Sequence, residues 1–395
     1  MKILILSFYY APDLCPGSFR CTSLVEQLLP LVNEKYEIEV MTTVPNRYAT
    51  YVVPAPEFEK NGALTIHRIP LPSHQSGMLD QAKAFGYFAK KVNQLVKNNQ
   101  YALVFATSSR LMTAALGAYI AHQKRAMLYL DIRDIFLDTL QDVLPKKVSF
   151  VAKPVFSIIE KWAFRKANHI NIVSDGFKDY FKTRYPNASL TGFTNGIDDD
   201  FLMFDSDSSR KEVILPLTVL YAGNIGEGQG LHRILPSLAK RMEGRVNFRV
   251  IGDGGRKNQL ALELSRLGCT NVELLPPIGR QQLLEEYRTA DVLFLHLNDY
   301  NAFKKVLPSK LFEYGAVGKP IWAGLGGYAA DFVEKEMTNA VVFHPCDVIS
   351  AERRFAALKI EVNRRTDFIQ KYKRQHIMEC MAKEMMSECL YTHSN

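Results

Sequence analysis

The sequence predicts an α/β protein with two doubly wound, parallel-sheet, Rossmann-like domains that face each other across a cleft. Apolar runs of four or five residues alternate with segments of helical spacing, and the alternation starts again after residue 210. Apolar runs of this kind, separated by helices, indicate parallel strands that are covered on both faces. The length of 395 residues accommodates two such domains. Ligands bind at the carboxyl ends of strands in these sheets, which is why we expect a shared cleft.

Each predicted domain contains five buried strands. The first series covers residues 3–7, 38–42, 102–106, 127–130 and 170–173, and the second covers 219–222, 248–251, 272–275, 292–295 and 320–323. The polar stretch 195–215 between them has no periodicity, which is typical of a linker. We therefore expect domains at 1–205 and 206–365, followed by a helical segment, 366–395, that crosses back to the first domain.

Composition excludes several classes of protein. A hydrophobic content of 47% is too high for a disordered chain. The six cysteines form no CxxC pair, which favours reduced thiols. The longest apolar stretch, residues 111–121, is too short to cross a bilayer. These features predict a cytoplasmic protein, at most peripheral on the inner face of the plasma membrane.

Two familiar phosphate-binding motifs are incomplete. Gly252 and Gly254 begin a dinucleotide fingerprint, but Lys257 occupies the position of its third glycine. Residues 315–320 resemble a P-loop only in part, because Pro320 replaces the hydroxyl residue that would hold magnesium. The nine histidines show no metal-ligand spacing, so we expect neither a metal nor a bound cofactor.

Acidic residues cluster in the predicted linker, at 198–200, 205 and 207. Such pairs could hold a metal bound to a diphosphate. Solvated side chains are the favoured interpretation.

The first informative loop is Pro16-Gly17-Ser18-Phe19-Arg20, which follows the first strand and leads into a helix predicted at 21–29. A glycine at a helix N-terminus lets backbone N–H groups approach a phosphate, and the helix dipole favours the anion. Arg20 could add a positive charge. An ordinary connection between strand and helix explains this loop equally well.

The second loop, residues 221–230, follows the first strand of the second domain and contains four glycines. Glycines allow the backbone to press against a ligand. Gly223 and Asn224 lie at the start of this loop. Because it carries no cation, the loop would contribute N–H groups and no charge.

The third loop covers residues 307–320. Ser309 is a predicted N-cap, Lys310 lies in the first helical turn, and Glu313 lies one turn later. Lysine near the positive end of a helix is unfavourable unless an anion binds there. Glu313 could accept hydrogen bonds from sugar hydroxyls. The alternative is a surface salt bridge between Lys310 and Glu313.

Together these loops resemble the nucleotide-sugar glycosyltransferases of the GT-B fold, and most closely the retaining family four branch that builds bacterial O-antigen and capsule. The resemblance covers nearly the whole chain. Five further stretches fit it in the same order: Phe8-Tyr9-Tyr10-Ala11-Pro12, Asp131-Ile132-Arg133-Asp134, and residues 160–168, 250–254 and 287–292.

The resemblance implies a UDP-sugar donor, whose sugar is an N-acetylhexosamine, and a glycan or polyprenyl-diphosphate-linked acceptor. Glu313 corresponds to the family's ribose-binding glutamate, and Lys310 would neutralise the diphosphate. Two departures stand out: Lys305 replaces a common glutamate, and the glycine loop lacks its usual Arg and Lys. The donor-binding residues implied are Gly17, Arg20, Gly223, Asn224, Gly252, Asp253, Gly254, Ser309, Lys310 and Glu313.

The resemblance also implies catalytic residues for transfer with retention and without a metal. Asp134, and after it Asp131, would orient the sugar or accept a proton. Lys310 would stabilise the leaving group. The alternative for Asp131 and Asp134 is a structural ion pair with Arg133 at a strand end.

Positive charge is concentrated in residues 145–185, which contain nine Lys or Arg and three acidic residues. Pro154 is predicted at the first position of a helix, with Val155, Ile158, Ile159 and Trp162 following at helical spacing. A basic amphipathic helix favours contact with an anionic membrane surface. A core-packed helix with a basic rim is the alternative.

Two rival functions stay open. A nucleotide-sugar epimerase or hydrolase could use the same two-domain plan. A nucleic-acid-binding protein could use the formal charge of +8. The sequence contains no recognised nucleic-acid-binding module, so we expect no nucleic-acid partner.

Overall fold

The computed structural model describes residues 1–32, 35–46, 53–72, 78–108, 110–143, 146–204 and 214–391. The chain forms two compact units. Unit 1 consists of Met1–Asn195 and Arg374–Asn395, and unit 2 is Gly196–Lys373. The predicted domain boundaries were after residues 205 and 365, whereas the units divide after residues 195 and 373.

Unit 1 is built on an eight-stranded sheet with the order β3-β4-β2-β1-β5-β6-β7-β8, in which β3 alone is antiparallel to its neighbour. Its strands are β1 (Lys2–Leu6), β2 (Glu37–Thr43), β3 (Phe58–Asn61), β4 (Leu64–Ile69), β5 (Tyr101–Thr107), β6 (Met127–Ile132), β7 (His169–Ile172) and β8 (Ser189–Thr191). Its first six helices are α1 (Pro16–Leu28), α2 (Met78–Val96), α3 (Leu111–Lys124), α4 (Phe136–Val143), α5 (Lys146–Phe164) and α6 (Lys178–Arg184).

Unit 2 contains a fully parallel sheet with the order β11-β10-β9-β12-β13-β14. Its strands are β9 (Leu217–Ala222), β10 (Val246–Ile251), β11 (Val272–Leu275), β12 (Val292–His296), β13 (Ile321–Gly324) and β14 (Ala340–Phe343). Its helices are α7 (Asp199–Leu202), α8 (Leu231–Arg241), α9 (Lys257–Arg266), α10 (Arg280–Thr289), α11 (Lys310–Val317), α12 (Tyr328–Glu336), α13 (Val348–Ala356) and α14 (Thr366–Lys371). The strand order is that of a doubly wound Rossmann domain. The predicted fold class of two Rossmann-like domains is therefore confirmed.

The last helix, α15 (Arg374–Tyr391), belongs to unit 1. Its Met378, Met381 and Met385 side chains are buried in the same apolar core as Leu24 and Leu28 of α1. Burial of methionine against leucine supplies an apolar contact that adapts well to irregular gaps. The C-terminal helix is thus an integral part of the first sheet's covering layer.

Every predicted strand overlaps an observed one, and four further strands are present. β3, β4, β8 and β14 lie at or next to sheet edges. β3 and β8 are mostly exposed or half-buried, so they carry no continuous apolar run. Polarity therefore explains why these two strands were not predicted, whereas it does not explain the omission of β14, whose sequence is AVVF.

Two predicted helix starts were wrong. Helix α1 begins at Pro16 rather than at residue 21, so Gly17 and Arg20 lie inside it. Proline is favoured at a first helical position, because its missing N–H has no partner there in any case. Pro154, by contrast, lies inside α5 and not at its start. Because proline has no N–H, the carbonyl of Phe150, four residues earlier, receives no helical hydrogen bond from residue 154.

None of the helices within the described ranges is both long enough and apolar enough to span a bilayer.

Candidate functional site

Three loops of unit 2 meet at the carboxyl edge of its sheet, where the strand order reverses around β9. The Gly223 N–H donates to the carbonyl of Ile251 at 2.8 Å, and the Ile225 N–H donates to the carbonyl of Asp253 at the same distance. The Arg256 N–H donates back to the Ile225 carbonyl at 2.9 Å. Reversal points of this kind are where doubly wound sheets bind ligands. The loops after β9 and β10 thus form one hydrogen-bonded platform.

Glycine is required where these two loops touch. A Cβ atom added to Gly252 would lie 1.8 Å from the carbonyl oxygen of Gly223, and the Gly252 backbone has φ +151°. No side chain can occupy that space, and few residues other than glycine adopt that φ. The family resemblance implied that Gly252 and Gly254 bind the donor. The structure places them beneath the glycine loop.

Polar side chains fix the same platform. Asn224 donates through Nδ2 to Gln229 Oε1 at 2.8 Å, and Tyr221 donates to the Asn224 carbonyl at 2.6 Å. The Asp253 carboxylate accepts the N–H of Gly254 at 2.8 Å. Asn224 and Asp253 are therefore engaged in loop structure, while the backbone above Gly223 stays open to a neighbouring side chain.

That neighbour is Lys310, in the first turn of α11. Its Nζ would lie 3.2 Å from a Cβ atom on Gly223, so the ammonium group sits directly above the glycine loop. Within the described residues, Lys310 makes no hydrogen bond or ion pair, and it lies 5.9 Å from the ring centre of Tyr314. Burial lowers the pKa of Lys310, although the Glu313 carboxylate opposes the shift. A half-buried cation without a counterion marks a place for an anion.

Ser309 occupies the N-cap position of α11, as predicted, but its side chain makes no capping hydrogen bond. The first N–H groups of a helix have no intrahelical acceptor. At the start of α11, however, the N–H groups of Leu311 and Phe312 donate to the carbonyls of Pro308 and Ser309, each at 3.1 Å, so the group available to an anion here is the Lys310 ammonium.

Glu313 lies one turn further along α11, and its side chain is 15% exposed. The buried hydroxyl of Tyr287 donates to Oε2 at 2.9 Å. Arg280 Nη1 lies 3.9 Å from Oε1. No ion pair joins Glu313 to Lys310 within 4 Å among the described residues, so the surface salt bridge considered from the sequence is not formed. The Glu313 carboxylate is held from one side and accessible from the other.

Arg280 is a site residue that the sequence did not indicate. It donates to Asp198 at 2.7 Å and to Asp200 at 2.9 Å, and its guanidinium lies 4.2 Å from the centre of the Phe201 ring. The interpretation of residues 198–200 as solvated linker residues was therefore wrong for Asp198, which is 17% exposed, whereas Asp200 is paired with Arg280 but remains 55% exposed. Asp205 and Asp207 lie outside the described residues.

In unit 1, Arg20 and Asp131 form a buried ion pair. Arg20 donates through Nε and Nη2 to the two oxygens of Asp131 at 2.9 and 2.8 Å, and both side chains are no more than 2% exposed. Asn171 donates to the same carboxylate at 2.7 Å. Burial would raise the pKa of Asp131, but Arg20 and the other partners hold it below its usual value. We therefore assign this pair to the folding of unit 1 and no longer to donor binding or catalysis.

Gly17 lies in the first turn of the 13-residue helix α1. A Cβ atom added there would meet only the sulfur of Cys15, at 3.9 Å. Gly17 is itself buried, so its backbone contact to a phosphate stays a prediction.

Asp134 follows the carboxyl end of β6 by two residues and is half-buried. In the described part of the chain its carboxylate has no hydrogen-bond or ion-pair partner. Burial raises the pKa of Asp134 to about 7, with Arg133 opposing the shift. The neighbouring Arg133 has a buried Nη1 atom that finds no partner among the described residues. A carboxyl group that titrates near neutrality suits proton transfer or the orientation of a sugar hydroxyl.

Asp134 predicts a pH dependence of stability. Because its pKa is higher in the folded chain than the ordinary value of 3.8, its ionisation removes stability as the pH rises from about 4 to about 7. Asp134→Asn lacks that loss, so its free energy of unfolding relative to wild type should increase by about 3 to 4 kcal/mol between pH 4 and pH 8. Thermal unfolding at several pH values measures this. Asp179→Asn, on the exposed face of α6, is the control, and parallel pH profiles for Asp134→Asn and wild type would contradict the assignment.

No group of three or more His, Cys, Asp or Glu side chains that could hold a metal ion occurs among the residues the structure describes.

Comparisons with known proteins agree with this architecture. A structure of sucrose-phosphate synthase from Thermosynechococcus elongatus superimposes with a TM-score of 0.76 at 12% identity, over 99% of this chain and 100% of that one. HepE of Anabaena, in complex with UDP and glucose, gives 0.66 at 18% identity, over 98% and 100%. WaaG, a glycosyltransferase involved in lipopolysaccharide biosynthesis, gives 0.64 at 12% identity, over 96% and 95%. The fold is the GT-B fold.

The family likeness lies in the second unit. Residues 206–375 match the family model described as "Glycosyl transferases group 1". A curated protein of Escherichia coli strain K12, "Putative colanic acid biosynthesis glycosyl transferase WcaI", is 32% identical over 117 residues, which cover 29% of this chain and 28% of that protein. The resemblance to GT-B glycosyltransferases of bacterial surface polysaccharides is thereby confirmed.

Proposed function

We propose that this protein is a glycosyltransferase that moves a sugar, an N-acetylhexosamine, from a UDP-sugar to a growing surface glycan. The acceptor would be a glycan or a polyprenyl-diphosphate-linked chain. The observation that carries the proposal is the Lys310 ammonium, which lies unpaired over a glycine loop at a helix N-terminus. A half-buried cation beside a glycine loop that allows close backbone approach suits a diphosphate.

The donor assignment has two further supports. Glu313 presents a carboxylate oxygen one helical turn from Lys310, at a spacing that suits a ribose beside a diphosphate. HepE, which shares the fold, was solved with UDP and glucose. The neutral loop at Asn224 and Gln229 leaves most of the positive charge in unit 2's site to Lys310.

We propose the following chemistry at this site. The acceptor hydroxyl oxygen forms a bond to the anomeric carbon while the bond from that carbon to the UDP oxygen breaks. Reaction on one face retains the configuration, and the hydroxyl proton passes to an oxygen of the departing diphosphate. Lys310 stabilises the negative charge that develops there and so supplies the role that a metal ion has in other transferases. Asp134 is the carboxyl group of unit 1 that we propose orients the reacting sugar.

A transfer assay tests the function. UDP-N-acetylhexosamine labelled in the sugar should pass its label to a polyprenyl-diphosphate-linked glycan fraction, and UDP release should depend on that fraction. Asp134→Asn should reduce transfer while leaving UDP affinity unchanged. UDP release that is independent of any acceptor, or recovery of an epimerised sugar nucleotide, would instead support the epimerase or hydrolase alternative.

The proposal places the protein on the inner face of the plasma membrane, and helix α5 is the surface that supports this. Val148, Val155, Ile158 and Trp162 are 41%, 55%, 69% and 40% exposed. At 100° per residue these four share one side of the helix. Ser149, Glu160 and Ala163 are buried on the opposite side. The core-packed alternative does not describe this helix, because its apolar stripe faces solvent.

Charge indicates the kind of surface this stripe would meet. Lys147, Lys161 and Arg165 flank it and are exposed, while the only acidic residue of α5, Glu160, is buried. An apolar stripe bordered by cations is typical of helices that lie in the interface of an anionic bilayer.

Flotation with vesicles tests this surface. Wild-type protein should float with phosphatidylglycerol-containing vesicles, and Val155→Asp combined with Ile158→Asp should reduce the bound fraction about tenfold. Leu262→Asp, which changes an exposed apolar residue of α9, is the matched control. Equal flotation of wild type and the double variant would contradict membrane docking through α5.

A further inference from the structure

Glu313 has a supporting structure that extends to the first turn of unit 2. Its Oε2 accepts the hydroxyl proton of Tyr287, which is fully buried. Its Oε1 faces Arg280 at 3.9 Å, which is too long for a hydrogen bond. Within the described residues Oε1 accepts no hydrogen bond, so Arg280 attracts this oxygen without occupying its lone pairs.

Arg280 is itself fixed. Asp198 and Asp200 accept hydrogen bonds from Nη2 and Nε at 2.7 and 2.9 Å, and Phe201 stacks against the guanidinium. Burial disfavours the charge of Arg280, but the Glu313 and Asp198 carboxylates raise its pKa on balance. A guanidinium bound through two of its nitrogen atoms has little rotational freedom.

The acidic pair comes from a part of unit 2 that is distant in sequence from the loops. Asp198 is the N-cap residue of α7, and Ile197 before it pairs with Lys373 at the end of the unit. Asp200 is 55% exposed and lies outside the three loops. The start of unit 2 is thus connected to Glu313 through one arginine.

We propose that Arg280 is a positioning residue for nucleotide binding: anchored by Asp198 and Asp200, it directs Glu313 Oε1 toward the ribose hydroxyls of the donor. This inference rests on the proposed binding of a nucleotide at Glu313. Arg280 does not touch the ligand. It holds the carboxylate turned so that Oε1 accepts from the ribose while Oε2 stays with Tyr287.

The test compares UDP with 2′,3′-dideoxy-UDP, which lacks the hydroxyls that Glu313 would bind. Wild type should prefer UDP by about tenfold, the value of a hydrogen bond to a charged group. Arg280→Met should remove most of this preference by lowering the affinity for UDP alone. Glu313→Gln should have the same effect, and Arg280→Lys should restore part of the preference. Asp198→Asn combined with Asp200→Asn should act in the same direction as Arg280→Met.

Arg249→Gln is the matched control, because Arg249 pairs with Glu273 and Glu286 in the same unit without contacting Glu313. The Arg249→Gln variant should prefer UDP over 2′,3′-dideoxy-UDP as strongly as wild type does. A folded Arg280→Met or Asp198→Asn/Asp200→Asn protein that keeps the full preference would overturn the inference. Wild-type protein that binds neither nucleotide would instead overturn the proposed function and, with it, this role of Arg280.

Discussion

Lys310→Met should weaken UDP binding by about 30- to 100-fold while leaving the fold intact. The ammonium group lies over Gly223 without a counterion among the described residues, so its removal breaks no internal bond of unit 2. A charge-assisted contact to a diphosphate is worth about 2 to 3 kcal/mol in a partly buried site, which corresponds to that loss of affinity. Calorimetric titration with UDP measures the effect, and thermal unfolding checks the fold.

The control for this prediction is Lys335→Met, which removes one positive charge from the exposed surface of α12. If UDP were bound only by the general positive charge of unit 2, both variants would lose the same amount of UDP affinity. The site geometry predicts a loss confined to Lys310→Met. UDP affinity of Lys310→Met within twofold of wild type would show that Lys310 does not contact the diphosphate.

Asp131→Ala should destabilise the protein by about 3 to 5 kcal/mol. The substitution leaves the guanidinium of Arg20 buried, at 2% exposure, without its carboxylate. Removing one partner of a buried ion pair costs that much because the other charge stays desolvated. The midpoint of thermal unfolding should fall by about 10 °C.

A second variant separates the loss of the charge pair from the loss of packing. Arg20→Met combined with Asp131→Ala leaves no unpaired charge and should be more stable than Asp131→Ala alone. If the double variant is as unstable as the single one, the pair does not act through its charges. Unit 1 would then depend on the shape of these side chains.

Much of the fold follows from short-range pattern. Apolar runs such as residues 102–106 and 292–295 are long enough and apolar enough to predict buried parallel strands, and the structure has β5 and β12 there. Lys310 and Glu313 could also be predicted from the sequence. A lysine in the first turn of a helix conflicts with the helix dipole unless an anion offsets it, and Glu313 lies one turn after Lys310.

Contacts between distant residues were not accessible in this way. Arg20 and Asp131 are separated by 111 positions, and no local pattern indicates that they pair. The two partners of Arg280, Asp200 and Asp198, are likewise 80 and 82 positions away in the sequence. A lone arginine and a group of aspartates each look solvated by themselves. Only the fold brings the opposite charges together.

Helix α5 illustrates a different limit. Periodicity correctly placed Val155, Ile158 and Trp162 on one side of a helix, but it does not state which side faces the core. The buried side carries Ser149 and Glu160, with the latter accepting a hydrogen bond from Tyr185 at 2.9 Å. A polar residue that is satisfied by a distant tyrosine can be buried, and the apolar stripe is then left outside.

The measurement that tests the central claim most directly is calorimetric titration of the wild-type protein with UDP, GDP and ADP. The glycine platform, Lys310 and Glu313 predict one site for the diphosphate and ribose that the three nucleotides share, and the proposed UDP-sugar donor predicts that UDP binds most tightly. The same titration on Lys310→Met combined with Glu313→Gln should show no binding. Absence of binding by all three nucleotides in the wild type would contradict a nucleotide-sugar site at these loops.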